Sequence, residues 1–136
     1  MYARHTRWIN NWDLVDLSAP QIVGVHLLGR SRAPLDRWAR SKQLWERRIA
    51  ILATHAFTKR GDVAPTLEYS ARLIDDSDDL IHKAVGWMLR EAAKRDPAST
   101  ERFLRARQRQ MPRTMLRYAI ERFPAAKRKR YLAGTA

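Results

Sequence analysis

Residues 79–95, which read DLIHKAVGWMLREAAKR, show the clearest pattern of an amphipathic helix in the chain. Apolar residues recur there at intervals of three and four, so one stripe of the predicted helix faces a core. Trp87 lies roughly 130° from the centre of that stripe, at about 100° per residue. Its companions on that side are Lys83, Arg90 and Lys94. Two interpretations stay open: Trp87 packs on a neighbouring helix, or it contacts nucleic acid while the cations meet phosphates. The apolar stripe consists of Ile81, Ala84, Val85, Met88, Leu89 and Ala92.

Prolines divide the rest of the chain into further helices. Proline is tolerated in the first turn of a helix and disrupts its interior, and each of the six prolines falls where a helix can begin. Asp96 before Pro97 is typical of an N-cap, and the acidic turn 75–78 supplies another cap. No stretch alternates with a period of two residues, so the chain is predicted to be all-α. The predicted helices cover 6–17, 20–29, 34–41, 43–59, 65–74, 79–95, 97–109, 112–122 and 125–132.

A weak internal repeat favours stacked helical hairpins. Residues 44–52 (LWERRIAIL) and 80–88 (LIHKAVGWM) share a pattern at an offset of 36 residues. That offset approaches the roughly 40–47 residues of HEAT or armadillo units. Short helices joined by short links fit the same arrangement. The sequence therefore predicts a single HEAT-like domain over residues 1–136, built as a right-handed α-solenoid of HEAT-like helix pairs.

The charge of the chain predicts an anionic partner. Among 136 residues, 27 are Lys or Arg and 14 are Asp or Glu, which gives a net charge of +13. Residues 101–136 hold 11 of the cations and two of the acids. Nucleic acid, an anionic membrane surface and an acidic protein are all candidate partners. No apolar run approaches the roughly 18–20 residues of a membrane span, so we expect no membrane-spanning segment.

Several enzyme classes are excluded or disfavoured by missing residues. The chain has no cysteine, which excludes disulfides, a thiol nucleophile and a Cys-based zinc site. Its four histidines show neither His-x-x-x-His nor His-Glu-x-x-His spacing, so a zinc hydrolase is not predicted. A Gly-rich phosphate-binding loop and a Gly-x-Ser-x-Gly motif are also missing.

The N-terminal segment 8–17 carries a carboxylate beside aromatic side chains. Trp8, Trp12 and Val15 form an apolar stripe on the predicted helix, and Asp16 lies at its edge one turn after Trp12. Desolvation there would raise the pKa of Asp16 unless a cation or donor pairs with it. Asp16 is therefore either a capping or ion-pairing residue or a catalytic carboxylate beside an aromatic wall.

Two arginines lie on the predicted helix 43–59. Arg48 flanks the apolar stripe of that helix, and Arg47 points nearly opposite. Each is either a phosphate contact, a solvated charge, or a member of a surface ion pair with Glu46 or Asp36.

The spacing of these residues predicts one common surface. Trp12 and Arg48 are 36 residues apart, and Arg48 and Trp87 are 39 apart. Residues about one repeat apart line up along the same surface of a solenoid. Trp12, Asp16, Arg48 and Trp87 are therefore predicted to line one concave groove that holds a carboxylate, aromatic walls and cations.

Three segments of the chain match the pattern of one enzyme family. They are residues 9–16 (INNWDLVD), 44–52 (LWERRIAIL) and 81–91 (IHKAVGWMLRE). Together they resemble the DNA alkylation repair family of HEAT-repeat DNA glycosylases, over roughly residues 7–132. Family members are usually longer, so the resemblance implies that the chain matches the C-terminal two-thirds and lacks the N-terminal repeats. The N-terminal end of the solenoid is then uncapped, and we expect it to be a candidate surface for self-association.

The resemblance implies an activity on DNA. Members hydrolyse the N-glycosidic bond of N-alkylated purines, such as 3-methyladenine and 7-methylguanine, in double-stranded DNA without a metal or another cofactor. They contact the sugar beside the lesion rather than flip the base into a deep pocket. By matched motif, Asp16 is similar to the catalytic carboxylate, Trp12 and Trp87 to the two groove tryptophans, and Arg48 to the phosphate-contacting arginine. Further DNA-binding candidates are Arg47, Lys83, Arg90 and Lys94.

Two other functions stay open beside this monofunctional glycosylase. One is a non-catalytic DNA-binding HEAT solenoid, or a remnant of the enzyme, that kept the basic groove. The other is a protein-binding HEAT scaffold whose positive face meets an acidic partner. Asp16 favours the enzyme, because a phosphate-binding groove gains nothing from a carboxylate, whereas missing N-terminal repeats favour the DNA-binding solenoid. The expected location is cytoplasmic, with nucleoid association in a prokaryote.

Overall fold

The structure, a computed structural model, describes residues 32–136. These residues form helices and no strand, which confirms the all-α prediction for this part of the chain. The predicted helices 6–17 and 20–29, with Trp12 and Asp16, lie outside the described residues. The helices are α1 (Ala33–Ala39), α2 (Leu44–Ala53), α3 (His55–Lys59), α4 (Ala64–Leu73), α5 (Asp79–Arg95), α6 (Pro97–Arg107), α7 (Arg113–Ala119) and α8 (Ala125–Leu132).

The helix starts follow the predicted caps and prolines. The Asp96 carboxylate accepts a hydrogen bond from the Ser99 backbone N–H at 3.1 Å, at the start of α6. The Asp78 carboxylate likewise accepts from the Leu80 N–H at 2.9 Å, at the start of α5. Prolines occupy the first turn of α1, α4 and α6 and the N-cap of α7 and α8. Local signals therefore set these boundaries.

The single helix predicted over 43–59 is wrong, because the structure divides it into α2 and α3 at Thr54. The buried Thr54 hydroxyl donates to the Ile51 carbonyl oxygen at 2.6 Å and accepts from the Thr66 hydroxyl of α4 at 2.7 Å. A threonine hydroxyl that bonds a carbonyl of the preceding turn competes with the helical hydrogen bonds. The tie to α4 explains why the break falls at Thr54.

Helix α5 lies at the centre of the described fold. It packs against α2, α3, α4, α6 and α7. The six residues of its predicted apolar stripe are each at most 1 % exposed, which confirms that the stripe faces the core. Within residues 32–136 no helix is long and apolar enough to cross a membrane.

Contacts between residues 36 positions apart link successive parts of the chain. Arg32 Nη1 lies 3.0 Å from Glu68 Oε2, and Arg72 Nη1 lies 2.9 Å from Asp36 Oδ1. This separation equals the offset of the internal sequence repeat. Stacked repeats produce contacts of this kind. The right-handed HEAT-like solenoid and the single domain over residues 1–136 stay predictions.

Gly86 brings α5 and α7 into close contact. A Cβ atom at Gly86 would lie 2.5 Å from the Tyr118 Cβ and 2.6 Å from the Met115 carbonyl oxygen. Only glycine leaves room for α7 at this distance. Helix α7 therefore lies directly beside the Gly86 side of α5.

Candidate nucleic-acid interface

The side of α5 that points away from the core carries most of the predicted binding residues. At about 100° per residue, the four side chains Lys83, Trp87, Arg90 and Lys94 fall within a sector of about 60°. We call this sector the α5 face. It begins about 40° from Gly86, where α7 packs, and ends about 40° before Glu91.

Helices α3 and α7 border the α5 face on its two sides. On the α7 side, Arg90 Nη1 lies 2.6 Å from Glu121 Oε2, just after α7 ends. On the α3 side, His55 Nε2 lies 3.8 Å from Glu91 Oε1. The α5 face is therefore a surface bounded by neighbouring helices on both edges.

Trp87 is half-buried and packs partly against the hydrophobic core. Part of its surface stays accessible on the α5 face, among three cations. The structure thus combines the packing interpretation with an aromatic surface that a ligand can reach. Whether Trp87 contacts DNA stays a prediction.

The two lysines of the α5 face form surface ion pairs within the helix. Lys83 Nζ lies 3.2 Å from Asp79 Oδ2, and Lys94 Nζ lies 2.9 Å from Glu91 Oε2. Their side chains are 43 % and 45 % exposed. Asp79 is exposed as well, and an exposed pair contributes about 0–1 kcal/mol, so Lys83 can exchange its carboxylate for a phosphate at little cost. The partner of Lys94, Glu91, is only 18 % exposed. Both lysines can serve as phosphate contacts.

Arg90 is held more firmly than the lysines. It lies between Glu121 at 2.6 Å and Glu91 at 3.9 Å, and its side chain is largely buried. Its buried Nε has no hydrogen-bond acceptor in the described part of the chain. Arg90 therefore bridges α5 to the end of α7 and fixes positive charge beside the two lysines.

Arg48 is buried against the first turn of α5. It is 7 % exposed and donates from Nη1 to the Leu80 carbonyl oxygen in the first turn of α5. Its interpretation as a solvated charge is therefore wrong. Leu80 and Trp87 are seven residues apart and differ by about 20° around α5. Arg48 thus contacts α5 about two turns before Trp87, while the common groove and the DNA contacts of both residues stay predictions.

Arg47 braces α2 against the loop before α5. Its Nε lies 2.7 Å from Asp76 Oδ2, and its Nη1 donates to the Ser41 carbonyl oxygen at 3.1 Å. Both charged side chains of the pair are largely buried. This partner differs from the expected Glu46 or Asp36. Because breaking a buried pair is costly, contact of Arg47 with DNA, which stays a prediction, would compete with this brace.

Glu91 connects several charged groups and was missed by the sequence analysis. Its side chain is 18 % exposed and lies near Lys94, His55 and Arg90. Burial raises the pKa of Glu91, but the hydrogen bond and charge of Lys94, with the charges of His55 and Arg90, hold it below its usual range. An ionised Glu91 therefore keeps these cations together. The one sequence signal was the 36-residue separation between His55 and Glu91.

The half-buried His55 predicts that the protein becomes less stable as the pH is lowered from neutral to mildly acidic. Burial lowers its pKa from 6.5, the charges of Lys59, Lys94 and Arg95 lower it further, and Glu91 opposes them. Below pH 6.5 the unfolded chain therefore binds more protons than the folded chain. The free energy of unfolding should fall as the pH drops from about 6.5 toward the lowered pKa. Urea unfolding at several pH values between 5 and 7.5 measures this.

His55→Gln tests whether His55 causes this pH dependence of stability. The variant lacks the imidazole, so its free energy of unfolding should change less than that of the wild type over the same pH range. Equal pH dependence in both proteins would contradict the role of His55.

A cleft lies beyond α7. Its volume is about 400 Å³, and it is lined by Arg117, Ile120, Glu121, Arg128 and Leu132. Arg117 has no acidic partner among residues 32–136, and Arg128 donates to the Phe123 carbonyl oxygen at 2.6 Å. No group of three or more His, Asp or Glu side chains in this part of the chain is arranged to hold a metal ion.

Comparison with known protein families identifies the family of the chain. A family model described as DNA alkylation repair enzyme matches residues 1–123. A comparison with curated proteins finds no match. The family match covers most of the 136 residues and includes the residues of the α5 face. The chain therefore belongs to the family of DNA alkylation repair enzymes.

Proposed function

We propose that this chain is a monofunctional DNA glycosylase that hydrolyses the N-glycosidic bond of N-alkylated purines, of the 3-methyladenine and 7-methylguanine type, in double-stranded DNA. Family membership supports a DNA repair function. The α5 face carries the narrower proposal, because a partly accessible tryptophan lies there among three cations, and Arg48 contacts the first turn of the same helix.

DNA binding is proposed to depend on phosphate contacts along this face. The Lys83 and Lys94 side chains are 43 % and 45 % exposed, so they can neutralise phosphates and release counterions. Arg90 adds fixed charge, because Glu121 and Glu91 hold it in place. Arg48, anchored on the Leu80 carbonyl, is proposed to contact a phosphate near the start of α5.

The chemistry is proposed to require a single carboxylate. An N-alkylated purine such as 7-methylguanine is cationic and leaves as a neutral base when the glycosidic bond breaks. Positive charge then develops on the sugar ring, as in glycoside hydrolysis. Asp16 stabilises that charge and orients the water whose oxygen bonds to the anomeric carbon and whose proton is released. The indole faces of Trp12 and Trp87 also favour positive charge.

We further propose that the helix pairs form a HEAT-like solenoid. The contacts at 36-residue separation support this, as does the packing of α5 against both α2 and α7. Self-association through the N-terminal end and a cytoplasmic location stay predictions.

Trp87→Ala is expected to weaken DNA binding and base release together, each on the order of tenfold, because the ring supplies contact area as well as charge stabilisation. Fluorescence anisotropy with duplex DNA measures the affinity. Release of 7-methylguanine from methylated duplex DNA measures the activity. Trp87→Phe is the matched control and should retain most of both, since it keeps an aromatic ring at the same place.

Base release and duplex binding of the wild-type protein distinguish between the two DNA-binding functions. Release of alkylated purines supports the glycosylase. Duplex binding without any release would replace it with the non-catalytic DNA-binding solenoid. A folded Trp87→Ala variant with unchanged affinity and activity would remove Trp87 from the proposed interface.

A further inference from the structure

Tyr118 is the one exposed large hydrophobic side chain among residues 32–136, with 36 % of its surface accessible. It lies on α7 at the contact with Gly86 of α5. Its hydroxyl donates to no group in the described part of the chain. Tyrosine is an amphipathic side chain that usually uses its polar end when it is ordered at an interface. Neither the packing of α7 nor the proposed catalytic residues account for an accessible ring at this place.

Two cations lie near Tyr118. Glu121, one helical turn after Tyr118, binds Arg90 of the α5 face at 2.6 Å. Arg117, the residue before Tyr118, is exposed, has no acidic partner among residues 32–136, and lines the cleft together with Glu121 and Arg128. Tyr118 therefore lies beside Arg117 of the cleft and near the Arg90–Glu121 pair at the edge of the α5 face.

We infer that Tyr118 is a further DNA-contacting residue that extends the α5 face onto α7. Its ring packs on the deoxyribose backbone and its hydroxyl donates to a phosphate oxygen. An accessible aromatic side chain beside cations fits a polyanion with apolar sugar surfaces, which is the chemistry of a DNA strand. This inference rests on the DNA-binding part of the proposed function and does not depend on the catalytic part.

Two variants test the contact without disturbing the packing of α7. Tyr118→Ala and Tyr118→Glu both keep the Cβ atom that touches Gly86, so the contact between α5 and α7 is preserved. Tyr118→Ala should weaken binding to an unmodified duplex about five- to tenfold, the loss of one ring contact and one hydrogen bond. Tyr118→Glu should weaken it more than tenfold, because a carboxylate then faces phosphates. Tyr118→Phe should lose about two- to threefold, since it lacks only the hydroxyl.

Fluorescence anisotropy with a labelled duplex measures these affinities, and thermal unfolding checks that the variants stay folded. Wild-type affinity in a folded Tyr118→Ala or Tyr118→Glu variant overturns the inference. Polyglutamate that competes as well as unlabelled duplex also overturns it, because the surface would then be a general polyanion site. A wild-type chain that binds no duplex overturns the inference together with DNA binding, whereas binding without base release contradicts only the glycosylase.

Discussion

Asp16→Asn is expected to reduce release of 7-methylguanine from methylated duplex DNA on the order of 10²–10³-fold while DNA affinity stays equal or rises slightly. The substitution keeps the size of the side chain and removes one negative charge. That charge stabilises the cationic sugar mainly in the transition state, so its loss lowers the rate of base release. In the ground state the same charge repels phosphates, so binding does not weaken. Single-turnover base release and duplex anisotropy measure the two effects separately.

A charge-matched control comes from the loop before α5. Asp75 is exposed and has no ion pair within residues 32–136. Asp75→Asn removes the same charge and should leave base release unchanged. An active Asp16→Asn variant would show that the assigned carboxylate is wrong. Equal losses in both variants would trace the effect to net charge rather than to a catalytic position.

Local sequence signals predicted much of the helical framework. The apolar stripe of α5 is buried as expected. Apolar residues that recur with a period of 3.6 residues indicate which side of a helix faces the core. The carboxylates of Asp78 and Asp96 cap α5 and α6, because capping needs only the next two or three residues. These features depend on neighbours within one turn, so a single sequence contains them.

Contacts between distant residues escaped the same reasoning. The break at Thr54 depends on Thr66, 12 residues away in α4. The partner of Arg47 is Asp76, 29 residues away, and not one of the nearer acids. Helical spacing assigns Tyr118 no role, because its exposure follows from how α7 lies against Gly86. For the candidate site, the alignment of Arg48 with Trp87 stays a prediction, and the sequence analysis selected neither Glu91 nor Tyr118.

Gly86→Ala is the second substitution with a large expected effect. The sign of its change in the free energy of unfolding discriminates between two physical causes. In an exposed helix this change stabilises by roughly 0.5–1 kcal/mol, because alanine restricts the unfolded chain. At Gly86 the added Cβ would lie 2.5 Å from the Tyr118 Cβ and 2.6 Å from the Met115 carbonyl oxygen. Neither atom is the flexible end of a side chain, so α7 itself must move. Overpacking of this kind typically costs about 1–3 kcal/mol, and we expect a net loss of stability.

Thermal and urea unfolding of Gly86→Ala measure that loss, with Lys83→Ala as the control on the same helix. Lys83 is exposed and weakly paired, so its removal should change the free energy of unfolding by no more than about 0.5 kcal/mol. A more stable Gly86→Ala variant would show that α7 yields easily and that the close contact is not needed. If α7 moves as expected, Tyr118 and Glu121 shift relative to the α5 face. DNA affinity should then fall in Gly86→Ala even below its melting temperature, because the Arg90–Glu121 bridge and the Tyr118 contact both depend on that distance.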